Sequence, residues 1–152
     1  VPVQKGGGER TAEYIGRSKG GLTTKIHATC DALGNPTGFH LTPGQAHDLQ
    51  GADALLPDIL NKVKQFLADK AYDAAERVLD VLGGADIEAV IPPKSNRTRQ
   101  REYDEKIYKW RHLIENLFAK LKQYRAITTR YDKRACAFLG GIHLAAIVIW
   151  LN

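Results

Sequence analysis

Phe66-Leu67-Ala68-Asp69-Lys70-Ala71-Tyr72-Asp73 opens, and Glu88-Ala89-Val90-Ile91-Pro92-Pro93 closes, the stretch that decides the fold class. Each contains a brief apolar run stopped by a charged or proline breaker, the length of a buried strand. Between them Ala74 to Leu82 follows a helical period, closed by Gly83-Gly84. Strand, helix and strand separated by glycines argue for an α/β layer.

Toward the N-terminus, Thr23 to Asp31 alternates, with Thr24, Ile26, Ala28 and Cys30 on one side and Lys25, His27, Thr29 and Asp31 on the other. Leu33-Gly34-Asn35-Pro36 punctuates it, and Thr37 to Leu41 supplies a second strand, so the pair predicts an antiparallel hairpin. His47 to Lys64 repeats apolar residues at Leu49, Ala52, Leu56, Leu60 and Val63, a helix with one buried face. Residues 1–21 are polar, bracketed by Gly6-Gly7-Gly8 and Gly20-Gly21, and read as an arm preceding a domain of residues 22–152.

Toward the C-terminus, Lys94 to Arg101 is a basic linker without period. Ile107, Trp110, Ile114, Leu117, Phe118 and Leu121 then fall within an arc of about 100° on one helix. Ala135 to Asn152 has no charged residue, falls short of a typical membrane span, and reads as a buried core helix.

The 152 residues are 43% apolar, enough for one packed domain. Charge is uneven. Residues 94–134 hold 13 basic and 5 acidic groups, whereas residues 1–91 hold 9 and 12. A basic second half fits a polyanion such as nucleic acid, although a basic helix is also simply a well-solvated one. Cys30 and Cys136 stand far apart with no Cys-x-x-Cys, which excludes a disulfide framework or a cysteine-rich zinc site and fits a reducing cytoplasm.

Chemistry concentrates on the second face of the long helix. Tyr108, Arg111, Glu115 and Lys122 lie within about 60° of one another at helical rotation. Arg111 and Glu115 are at the spacing of a surface ion pair. The alternative is that Glu115 seats a divalent metal while Arg111 and Lys122 hold phosphates beside it, the mixture that phosphodiester hydrolysis requires. Asp69 follows the Phe66 strand at the sheet edge where ligand groups cluster. A turn or helix cap is the competing role for it, and Asp73 is the better capping candidate.

Three long segments carry a resemblance: Gly16-Arg17-Ser18-Lys19-Gly20-Gly21-Leu22-Thr23-Thr24-Lys25-Ile26-His27, Phe39 to Asp48, and Leu67 to Asp73. With Tyr108, Arg111, Glu115 and Lys122 in a complete Tyr-x2-Arg-x3-Glu-x6-Lys pattern, and with the tail from Arg125 to Trp150, the chain resembles the DDE transposases of bacterial insertion sequences from Gly16 onward.

The resemblance implies a ribonuclease-H-like mixed sheet flanked by helices, in which two Asp and one Glu hold two Mg²⁺ or Mn²⁺ ions. Asp69 corresponds to the second Asp and Glu115 to the Glu. Arg111 and Lys122 would position DNA, with Tyr108 beside the scissile region. The metals would activate water and then a DNA 3′-hydroxyl for in-line attack. Arg97, Arg99 and Arg101 suit nonspecific contacts to the DNA backbone, and serve equally as linker solubilisers. Double-stranded DNA, both element ends and target, is the implied partner, in a bacterial, nucleoid-associated cytoplasmic setting without membrane. Self-association or an upstream transposase fragment is also implied.

The family's first Asp and the central strand that bears it lie upstream of the Gly16 segment, so the sequence is expected to lack both. Glu9 and Glu13 are nearby carboxylates in a polar, glycine-rich stretch without strand pattern. On this reading the polypeptide alone is expected to show little strand transfer. One alternative is a non-catalytic DNA-binding remnant that uses residues 94–134 and not the carboxylates. A metalloenzyme built on His27, His40 and His47 lacks any helical His-x3-His spacing.

Overall fold

The structure is a computed structural model that describes residues 13–152. Glu9 and most of the polar arm lie outside the described residues. From Gly16 the chain forms β1 (Gly16–Ser18), β2 (Gly21–Cys30) and β3 (Pro36–Pro43), an antiparallel sheet in the order β1-β2-β3. The predicted hairpin is present, with Ile26 opposite Leu41 and His27 opposite His40. Its turn is fixed by Asp31, whose Oδ1 accepts from the amides of Leu33 (2.8 Å) and Asn35 (2.9 Å), and by Gly34 at φ 84°, a backbone conformation costly for other residues.

Helix α1 (Leu49–Ile59) leads to β4 (Gln65–Leu67), and after three short helical stretches β5 (Glu88–Val90) lies parallel to β4. The strand-helix-strand unit is therefore as expected. In detail the helix differs. Ala75–Leu79 is a π turn in which the amides of Val78 and Leu79 both donate to the Ala74 carbonyl (3.1 and 3.0 Å), and only Asp80–Gly84 is α-helical, named α2. Asp86, at φ 55°, makes the left-handed turn expected of Gly83-Gly84.

The long helix is divided into α3 (Glu105–Tyr108), a 3₁₀ turn at Lys109–Arg111, and α4 (His112–Leu121). Asp104 caps its start, with Oδ1 accepting from the Lys106 and Ile107 amides. A 3₁₀ turn rotates about 120° per residue, so it rephases the apolar stripe. Leu117 and Leu121 are buried, while Trp110 is 57% exposed, which corrects its assignment to the core face. Short α5 (Arg125–Thr128) and long α6 (Ala135–Leu151) complete the chain.

Two cores result. Leu49, Ala52 and Leu56 of α1 join Val78, Leu82, Ile87 and Ile91 around the parallel pair. Leu41 of β3 joins Leu117, Leu121, Ile127, Phe138 and Ile142, with Ile26, Ala28 and Cys30 facing them. The alternation read in β2 thus puts its apolar side toward α4–α6 and His27 toward α1. The fold is a mixed α/β arrangement with antiparallel and parallel sheets flanked by helices. Among the described residues no strand joins the two sheets, and no helix is long and apolar enough to cross a membrane.

The β2–α1 contact depends on Gly51. The buried His27 ring lies against it, and a Cβ there would sit 2.2 Å from His27 Cγ and Nδ1. Gly51→Ala is expected to cost about 1–3 kcal/mol through overpacking. A urea unfolding midpoint unchanged from wild type would show that the ring gives way freely.

Helix α6 departs from its expected burial. Phe138, Ile142, Ala145 and Ala146 are buried, but Leu144, Ile147, Val148, Trp150 and Leu151 on the other side are exposed. An apolar helix buries all its faces only where neighbours surround it, and the described part of the chain covers one side.

Candidate functional site

Asp69 stands just beyond β4, and its neighbour Ala68 is 9% exposed, so the core pins the backbone that presents the carboxylate. Its Oδ1 accepts from the Ala71 amide at 2.7 Å, capping the 3₁₀ turn Lys70–Tyr72. Asp73, expected to cap, instead is 3% exposed and accepts from the Lys94 amide (2.8 Å) and from Arg97 Nε (2.9 Å) and Nη2 (3.0 Å). A buried carboxylate needs charged or amide donors to offset lost hydration, and the basic linker supplies them. Burial raises the Asp73 pKa, but the hydrogen bonds from Arg97 and Lys94 and the charges of Arg97 and Arg101 outweigh it, holding the group below its ordinary range.

Tyr108 ends α3 and is half-buried. Burial is the largest cause of its raised pKa; the Arg111 charge opposes this, and the Asp69 and Glu115 charges add to it. The guanidinium of Arg111 lies over the Tyr108 ring, 5.8 Å from its centroid, and Nη2 donates to Glu115 Oε1. Both readings of Arg111 and Glu115 start from this pair. With side chains 33% and 55% exposed, it contributes at most about 1 kcal/mol. Tyr103 meets Tyr108 edge-on at 5.5 Å.

The remaining candidates are spread out. Lys122 is the exposed residue that ends α4, and its carbonyl accepts from Thr128 Oγ1 at 2.7 Å. Arg97 is paired with Asp73, and Arg101 donates through Nη2 to the Ile91 carbonyl while its Nε is buried without a partner. Arg99 is exposed. Two of the three linker arginines thus hold the linker to the domain.

Sequence reading gave no role to Tyr72, Asp48 or Lys25. Burial first, and then the Asp48 and Asp69 charges, push the Tyr72 pKa up to about 12. Asp48 accepts from Lys25 Nζ at 2.8 Å, and the same ammonium donates to the Ala46 carbonyl at 2.7 Å, pinning the loop before α1. The signal was Asp48 and Tyr72 lying inside the quoted motifs.

His27 and His40 stand opposite each other on the hairpin, with ring centroids 6.5 Å apart. His27 Nε2 lies 2.8 Å from Thr42 Oγ1, and burial is the main cause of its lowered pKa. His47 Nδ1 accepts from the Leu49 amide at 3.2 Å. Among the described residues no group of three His, Cys, Asp or Glu side chains is placed to hold one ion. Mg²⁺ is also held by one or two carboxylates together with phosphate oxygens and water, a mode that needs no such group.

A family profile described as "Transposase DDE domain" matches residues 1–151. A Brucella ovis (strain ATCC 25840 / 63/290 / NCTC 10512) protein named as a transposase for insertion sequence element IS6501 is 42% identical over 133 residues, 86% of this chain and 100% of that protein. No solved structure matches. The profile spans nearly the whole chain and the relative is covered end to end, so this chain belongs to the DDE transposase family.

Proposed function

We propose that this chain supplies two carboxylates and the basic helix face of a ribonuclease-H-like centre for metal-dependent DNA cleavage and strand transfer. The observation that carries it is Arg111 lying over the Tyr108 ring and pairing with Glu115, where the charges of Asp69 and Glu115 both act on the Tyr108 hydroxyl. Asp69 and Glu115 would hold Mg²⁺ or Mn²⁺, which when bound lowers the pKa of water and offsets phosphodiester charge.

The chain's own residues do the rest. Asp69 keeps its position through the Ala71 amide, leaving the second oxygen for another ligand. Arg111 neutralises Glu115 in the resting arrangement. On this reading it turns to a backbone phosphate when Glu115 takes up its ligand, aided by Lys122 further along the face. The raised pKa of Tyr108 keeps its hydroxyl protonated, a donor to a phosphate or sugar oxygen. Arg99, exposed, would contact the DNA backbone.

A non-catalytic DNA-binding role is the second reading, and the lack of a three-ligand group among the described residues favours it. Cleavage of DNA bearing the element's ends by this chain supplemented with a transposase segment that carries the first Asp, with Mg²⁺ or Mn²⁺ and with chelator, separates the two. The catalytic reading expects metal-dependent nicking, lost in Asp69→Asn while DNA binding persists. Nicking that survives Asp69→Asn would sink it.

A further inference from the structure

The exposed side of α6 takes no part in the candidate site. Its ridge runs Ala137, Gly140, Leu144, Ile147, Leu151, alternating steps of three and four, the spacing with which one helix face meets another. Leu144 is 67%, Ile147 54%, Val148 45%, Trp150 53% and Leu151 79% exposed. No Lys, Arg, Asp or Glu occurs from Ala135 to Asn152. A Cβ added at Gly140 or Gly141 meets nothing within 4 Å, so neither glycine serves close packing among the described residues. Each nevertheless costs the helix about 1 kcal/mol relative to alanine.

We propose that this face is an antiparallel two-fold interface with a second copy of the chain, with Leu144 on the axis. Residue sizes fit that arrangement. The first half of the ridge is small and the second half large, so antiparallel pairing sets Leu151 on Ala137, Val148 on Gly140 and Ile147 on Gly141 of the other copy. A parallel pair would stack glycine on glycine and leave voids. The same surface also holds the recesses an isologous contact needs. Apolar grooves of about 300 Å³ beside Phe39 and Trp150, and about 200 Å³ beside Ile127 and Phe138, flank the ridge. Leu144, Ile147, Val148 and Leu151 at these exposures present on the order of 400 Å² per copy, so the pair buries about 800 Å², the size of a weak, reversible contact.

Sedimentation equilibrium of the 152-residue chain between about 10 and 100 µM, a range that brackets micromolar affinity, tests this. A mass twice the 16.8 kDa of one chain is expected. Leu144→Glu should give a monomer with unchanged far-UV circular dichroism, since the side chain it replaces is exposed. With Cys136→Ser to remove the nearby thiol, Leu144→Cys should oxidise to a covalent dimer and Gly140→Cys should not. An upstream stretch of polypeptide or a different protein as the natural cover predicts a monomer throughout, which overturns the proposal. Polydisperse aggregate, a dimer that survives Leu144→Glu, or cross-linking through Gly140→Cys would do the same.

Discussion

Replacing Glu115 by glutamine is expected to lower metal-dependent DNA cleavage by roughly a thousandfold or more, the scale of losing a group that stabilises developing charge. The fold should not register the change. Glu115 lies on the outer face of α4 with its side chain 55% exposed, and its one ion pair is at the surface. Glutamine keeps the shape and accepts from Arg111, but it cannot offer an anionic ligand. A protein that melts like wild type, binds DNA as well, and does not cut it is the expected outcome. Arg111→Ala should instead weaken binding across sequences and reduce the salt slope by about one. Cleavage by Glu115→Gln within tenfold of wild type would leave the DNA-binding reading standing and remove the catalytic one.

The largest stability effect is expected at Asp73. Asp73→Ala strips three donors of their acceptor, the Lys94 amide and two nitrogens of Arg97, at a site 3% exposed. Removing one partner of such a network costs about 3 kcal/mol, or roughly 10 °C in melting temperature at this chain length. The dependence on pH has a definite sign. The folded pKa of Asp73 is depressed, so its contribution is complete above the unfolded carboxylate range of about 4 and fades as pH falls through the folded value. The stability gap between wild type and Asp73→Asn should be constant from about pH 5 to 8 and narrow below about pH 4. A gap that widens in acid would show that burial, and not the Arg97 and Lys94 partners, dominates this carboxylate. The loss should also reach the candidate site, because Asp73 ties the linker to the segment that begins at Asp69.

Much of the architecture was legible because it is local. Alternation in Thr23 to Asp31 fixed which side of β2 meets a core, since successive side chains leave a strand on opposite faces. The Tyr108, Arg111 and Glu115 grouping was legible for the same reason, being set by helical spacing within eight residues. Trp110 was misplaced because an intervening 3₁₀ turn changes the rotation per residue without marking the apolar pattern. The cap is Asp69 and not Asp73 because capping preference is a local rule, whereas the partner of Asp73 stands more than twenty residues away.

By itself the sequence determined the strand and helix order, the family, and the stripe of Tyr108, Arg111 and Glu115. Only the tertiary structure decided that Asp73 is buried against Arg97, that Arg101 holds its own domain, and that α6 keeps an apolar face open. Side-chain chemistry states what a residue requires, burial, a counter-charge or a donor. Which distant residue meets that requirement is settled only when folding brings separate elements together.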